Sequence, residues 1–294
     1  MVRPKLIFVL GNGYEYMKGK TFTFCYTDPP YFAGRDYDGY KDAYILTNSG
    51  RRIAEARIRD LIATLKNSIK IGTLLTPGRL ALPVYIHTID AYHPELRVDV
   101  FIRKGARQMS GRNSYVASNE PVLAILPLTM SWSYHFNTDT LYDQNEQYIA
   151  DEIDWRQLGL FGGDDKLDYP EGALSIRHQN SKPFSYYQQC LEISVNQSLT
   201  SFLDKADERL TFIDPFAGDC TIQVIIDHPK AKKYIDSITM VEQSPIYLSH
   251  GLYYALTHYQ EVADIEIYAP NLMSWEEYKE RVLIPALKER QKVA

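Results

Sequence analysis

An apolar run, Phe22-Thr23-Phe24-Cys25-Tyr26, ends at Asp28-Pro29-Pro30-Tyr31. Each proline ring fixes φ at about −65° and removes a backbone donor, so neither a strand interior nor a helix interior continues through the pair. The run before it is therefore a strand that must stop. The turn holds two acceptors in place, the Asp28 carboxylate and the Pro29 carbonyl. Two adjacent acceptors match the two hydrogens of a single amino group. The ring of Tyr31 offers a face on which a planar group carrying that amino group can stack.

Around this turn the sequence alternates between two periodicities. Short apolar runs at 6–10, 80–86, 98–102, 121–128, 210–213, 237–241 and 265–268 read as strands. Helical spacing appears at 49–69, 186–203, 245–259 and 275–288, with a single helical turn at 14–18. Strands alternating with helices predict an α/β fold with a mostly parallel, twisted sheet and helices on both faces. Residues 139–172 are irregular and acidic and read as a small insertion.

A second turn of special composition follows the strand at 210–213. It reads Asp214-Pro215-Phe216-Ala217-Gly218-Asp219-Cys220-Thr221 and precedes a helical segment. Small residues there let a ligand approach the backbone. Amides at a helix start suit a carboxylate. About 20 residues beyond the glycine, Glu242 closes the next strand, where an acid in nucleotide-binding α/β units accepts hydrogen bonds from ribose hydroxyls. A tight structural turn with a surface glutamate is the plainer alternative.

These two segments together resemble the amino-methyltransferases that use S-adenosylmethionine to methylate exocyclic amino groups, chiefly of DNA bases. Asp28-Pro29-Pro30-Tyr31 is similar to their catalytic motif, and Asp214–Thr221 to their cofactor loop. Arg177-His178-Gln179-Asn180-Ser181-Lys182-Pro183 resembles a His-x-x-x-Lys-Pro segment that packs over the methionine end of the cofactor. Asn12, in Leu10-Gly11-Asn12-Gly13, stands where that family usually has an acid before the catalytic strand. Cys220 replaces the usual last glycine of the cofactor loop, and Asp219 adds an acid. The left-handed backbone such a loop requires is expected at Gly218, with Cys220 as a tolerated small residue.

The motif order, catalytic turn first and cofactor loop last, resembles the permuted beta group of DNA amino-methyltransferases. The resemblance implies a Rossmann-like methyltransferase fold with 1–128 as the catalytic half, 129–175 as a target-recognition or cap insertion, and 176–294 as the cofactor-binding half. It implies S-adenosylmethionine as cofactor and double-stranded DNA as substrate, with the target base flipped out of the stack. Asp28, Pro29, Pro30 and Tyr31 are then catalytic. The cofactor contacts are Asn12, Asp28, His178, Lys182, Pro183, Asp214, Pro215, Phe216, Ala217, Gly218, Asp219, Cys220, Thr221 and Glu242. Asp rather than Ser at the head of the catalytic motif favours adenine N6. An N4-cytosine or RNA enzyme is the alternative within this chemistry, and an inactive nucleic-acid or partner-binding scaffold the alternative outside it.

Net charge is −5, so contact with nucleic acid must come from a local basic patch. The stretch holding Arg103, Lys104, Arg107, Arg112 and Asn113 is the candidate, with a solvated charged turn as the competing reading. Three widely spaced cysteines, Cys25, Cys190 and Cys220, argue against a disulfide framework or a zinc site and for a reducing compartment. The apolar run near the start is too short for a membrane span. A cytoplasmic protein, with a homodimer among the expected assemblies, follows as the expectation.

Overall fold

The computed structural model describes residues 3–34, 36–37, 40–104, 119–127, 140–142, 147, 149, 182–229 and 231–293. In chain order the elements are β1 (Lys5–Leu10), α1 (Gly13–Met17), β2 (Phe22–Thr27), β3 (Asp36–Tyr37), β4 (Tyr40–Lys41), α2 (Asn48–Ser68), β5 (Ile69–Leu75), α3 (Leu82–Tyr92), β6 (Leu96–Lys104), β7 (Asn119–Pro127) and β8 (Thr140–Tyr142). They continue with α4 (Phe184–Ser194), α5 (Gln197–Ala206), β9 (Leu210–Asp214), a 3-10 segment (Thr221–Asp227), β10 (Ile235–Glu242), α6 (Pro245–His258), β11 (Asp264–Tyr268), α7 (Trp275–Tyr278) and α8 (Ile284–Val293). The last two are joined through π-type turns at Lys279–Leu283.

Among the described residues, nine strands form one sheet in the order β11-β1-β10-β9-β2-β5-β7-β6-β8. From β11 to β5 every pairing is parallel. β7 runs antiparallel to both β5 and β6. Parallel strands need crossovers, and the crossovers cover both faces of the sheet. Strand side chains accordingly alternate between two cores. Leu6, Phe8, Phe24, Tyr26, Phe212, Ile238 and Met240 pack with α4, α5, α6 and the C-terminal helices. Val9, Cys25, Ile213 and Val241 pack with Met17 of α1 and with Ile58, Leu61, Ile62 and Leu65 of α2 and Tyr85 and Ile89 of α3. The expected architecture, a mostly parallel sheet with helices on both faces, is what the chain adopts.

Two expectations are corrected. Residues 80–86 are not a strand. They open α3, whose buried residues Val84, Tyr85, Thr88 and Ile89 keep helical spacing. Pro83 sits in the first turn, where its missing N–H costs nothing. The strand in this region is instead β5 at Ile69–Leu75, directly following α2, which the apolar run at the helix end conceals. The helix expected at 186–203 is two helices. α4 ends at Ser194, and the Asn196 side chain accepts from the Leu199 amide at 3.0 Å to start α5 afresh. All three cysteines are buried and free. No helix among the described residues is long and apolar enough to cross a membrane.

Candidate active site

β1, β10, β9 and β2 are parallel neighbours, so their C-terminal ends come out at one edge of the sheet. The chain leaves β9 towards β10 on one side and leaves β2 towards β5 on the other. An open α/β sheet leaves a crevice where its connections diverge in this way. A cleft of about 620 Å³ opens there. Asn12, Asp28, Pro30, Phe32, Pro215, Phe216 and Glu242 all line it. The Asp-Pro-Pro-Tyr turn and the Asp214–Thr221 loop, far apart in sequence, share one cavity.

The Asp28 carboxylate is tightly held. Thr76 Oγ1 donates to Asp28 Oδ1. Lys182 Nζ donates to Asp28 Oδ2 at 2.6 Å. Burial raises the Asp28 carboxyl above its ordinary value, the Lys182 ammonium opposes that rise, and Glu120 adds to it. The Tyr31 hydroxyl donates to Glu120 Oε1 and accepts from Lys182 Nζ at 2.7 Å. Its ring lies on Gly78, where an added Cβ would stand 2.8 Å from Tyr31 Cγ. Tyr31 is not among the residues lining the cleft, and the next residue, Phe32, is buried with a left-handed φ of 54°. Backbone of that kind persists only where the surroundings enforce it.

The second loop is built on Asp214. Its buried carboxylate accepts from Thr27 Oγ1 at 2.8 Å, the Tyr187 hydroxyl at 3.1 Å and the Phe216 amide at 3.1 Å. Burial outweighs these bonds and pushes the carboxyl up to about 7. Phe216 meets Tyr14 edge-on at 5.4 Å. Asn12 caps α1, accepting from the amides of Tyr14 at 2.9 Å and Glu15 at 3.3 Å. Glu242 closes the far end and accepts from the amides of Gly218 at 2.9 Å and Ser244 at 2.8 Å. Its burial likewise pushes it up to about 7.

The expectation that Gly218 alone carries the left-handed backbone is corrected. Gly218 and Cys220 both adopt it, with φ of 50° and 59°. α6 makes room for the cysteine. A Cβ added at Gly251 would stand 2.3 Å from Cys220 Cβ. The preceding residue of each segment also pairs, with His250 Nδ1 and Asp219 Oδ1 at 2.9 Å and both side chains buried. Two consecutive loop residues that depart from the expected pattern thus meet two consecutive residues of α6.

Other sequence-derived sites are placed unevenly. Pro183 takes the N-cap position of α4, while Ala217, Cys220 and Thr221 are buried within the loop. Lys182, expected over a cofactor, contacts Asp28 and Glu120. Arg103 and Lys104 belong to β6 by their backbone. Arg107, Arg112, Asn113 and His178 lie outside the described residues, as does nearly all of 129–175. The cleft also takes Tyr14, Arg57, Asp60 and Tyr247, which sequence reading missed. Arg57 and Asp60, three apart on α2, were detectable as one polar helix face. Glu120 and Thr76 carried no such signal.

No family model and no curated protein matches the chain. Solved structures do share its fold. PvuII DNA methyltransferase, described as cytosine-N4-specific, matches with a TM-score of 0.57 over 97% of this chain and 95% of its own, at 12% identity. M1.HpyAVI gives 0.51 over 85% of this chain and 98% of its own at 11% identity. Its complex with SAM gives 0.50 over the same shares at 13% identity. The chain has the fold of these proteins.

The fit of Cys220 to Gly251 is open to a double-mutant cycle. Gly251→Ala should destabilise the protein by about 1–3 kcal/mol in denaturant unfolding, because the new methyl overlaps Cys220. Cys220→Gly in that background should recover much of the loss, with a coupling above about 0.5 kcal/mol. Strictly additive effects would separate the two residues.

Proposed function

We propose that this protein transfers a methyl group from S-adenosylmethionine to an exocyclic amino group of a DNA base, with adenine N6 as the first reading. One observation carries the proposal. The Asp28 turn and the Asp214–Thr221 loop, each similar to a motif of the amino-methyltransferases, line one cleft at the switch point of the sheet. The fold shared with PvuII DNA methyltransferase supports the same chemistry and keeps cytosine N4 as the second reading. The order of the motifs along the chain is read as permuted.

The cleft residues suit the cofactor. Glu242 presents a carboxylate suited to two ribose hydroxyls, Phe216 an aromatic wall, and the start of the loop at Pro215 a close backbone surface. The cofactor, when bound, supplies an electrophilic methyl on a sulfonium. In such a transfer the base amino nitrogen would form the new N–C bond as the C–S bond breaks toward sulfur, and an amino proton would leave to water. An aromatic amino group is a poor nucleophile because its lone pair is delocalised. Hydrogen bonds to Asp28 and to the Pro29 carbonyl draw the nitrogen toward tetrahedral geometry and stabilise the positive charge that develops on it. Orientation supplies the remainder. Base contacts and a flipped target belong to this proposal, as do phosphate contacts from the stretch around Arg103 to Asn113.

Asp28→Ala removes the acceptor but leaves Phe216 and Glu242, the residues assigned to the adenosine end of the cofactor, in place. Methyl incorporation into DNA should fall by about a hundredfold or more, while calorimetric affinity for S-adenosylhomocysteine stays within about tenfold. Near-normal incorporation by this variant would remove Asp28 from the chemistry.

The Glu242 carboxyl, pushed up to about 7, gives cofactor binding a pH dependence of defined sign. Only the ionised form accepts from both ribose hydroxyls, so affinity should weaken as pH drops below about 7, by roughly tenfold between about pH 8 and about pH 6. Glu242→Gln should flatten that slope. The same raised value means that the folded, cofactor-free protein holds a proton the unfolded chain has lost. The stability this group contributes is complete below its unfolded value and is lost as pH rises through about 7. An equally steep affinity slope in Glu242→Gln would place the titrating group elsewhere.

A further inference from the structure

Behind the catalytic turn lies a buried charge cluster drawn from three distant segments. Lys182 Nζ is 2.6 Å from Asp28 Oδ2 and 3.4 Å from Glu120 Oε1. The side chains of Lys182, Asp28 and Glu120 are 3%, 8% and 21% exposed, so solvent does little to soften their mutual field. Tyr31 ties the cluster together by bonding both Lys182 and Glu120. Other ionisable groups face Asp28 from the surrounding elements: Tyr85 of α3, Tyr186 and Tyr187 of α4, and Asp214 of β9. Burial lifts these tyrosines well above their ordinary values, which leaves them neutral near pH 7.

Two carboxylates that reach the same ammonium repel one another, and without that cation the pair resists full ionisation. One of them would keep a proton. A protonated Asp28 would present a donor where an amino group needs an acceptor, and would no longer face developing positive charge with a negative one. A lysine paired with Asp28 alone would have the opposite fault, cancelling the charge that activates the amine. With one ammonium shared between two carboxylates, the three groups carry one net negative charge.

We propose that Lys182 and Glu120 are positioning residues for Asp28. Lys182 holds both carboxylates ionised, and Glu120 preserves the negative charge that Asp28 turns toward the amino group. This rests on the methyl-transfer reading above. It gives Lys182 a role other than the cofactor contact that the sequence resemblance implies. It also assigns a role to Glu120, which no motif marks. Neither residue touches the transferred methyl in this account; both act through Asp28.

The test is the titration midpoint of the Asp28 carboxyl, followed by carbon NMR in the whole cofactor-free protein and assigned by its loss in Asp28→Asn. It is paired with the acid limb of the rate profile for methyl transfer to unmethylated genomic DNA. Lys182→Met should move both upward by roughly one to three pH units, and Glu120→Gln should move both downward by about one unit. Lys182→Arg should return them close to the wild-type position. Opposite shifts from two neighbouring substitutions are not a consequence of loosened packing. Coincident midpoints in all the proteins, or an upward shift in Glu120→Gln, would overturn the proposal. If Lys182→Met fails to give a cooperative melt, the isosteric Glu120→Gln decides alone. If wild type transfers no methyl group yet the NMR midpoints move as expected, the charge arrangement stands and the methyl-transfer reading fails.

Discussion

Everything in the site depends on a short parallel junction between β2 and β9. Only Phe24 with Phe212 and Cys25 with Ile213 pair across it. The junction is reinforced at both ends. Thr23 and Thr211 exchange amide-to-hydroxyl bonds of 2.9 and 3.0 Å below the pairs, and Thr27 donates to Asp214 at 2.8 Å above them. Phe24 and Phe212 stack with ring centroids 5.6 Å apart. A slip of one residue would reverse every side chain on β2 and carry Asp28 away from the loop after β9. The buried threonines and aromatic rings fix that register, and register places Asp28 and Pro215 in one cleft.

The second constraint is charge. Asp28, Asp214 and Glu242 stand at or just past the ends of adjacent strands, and burial raises each above its ordinary value, Asp214 and Glu242 to about 7. Such a cluster resists full ionisation when empty. A cationic ligand, a sulfonium among them, would relieve the repulsion it contains. Among the described residues that line the cleft, the acids Glu15, Asp28, Asp60 and Glu242 outnumber the bases Lys18 and Arg57.

Much of this is legible in the sequence. The Asp28 turn, the Asp214–Thr221 loop and Glu242 are local patterns whose chemistry is carried by adjacent residues, and the structure brings them together in one cleft. What escaped was non-local. β5 was hidden because its apolar residues continue the run that ends α2, and residues 80–86 passed for a strand because the helical repeat shows only when Thr88 and Ile89 are included. Glu120 leads an apolar strand and has no neighbour in sequence to mark it. Lys182 belongs to a recognisable motif, yet its partner is Asp28. Cys220 was expected to be a passive replacement for glycine. It holds left-handed backbone itself, and Gly251, 31 residues on, provides the space.

A crystal structure with S-adenosylhomocysteine bound bears most directly on the central claim, that the two distant motifs form a single site. The account predicts the ribose hydroxyls on Glu242, the adenine beside Phe216, and the thioether sulfur directed at the Asp28 turn. A ligand bound away from the cleft, or one in the cleft with its sulfur turned from Asp28, would contradict it.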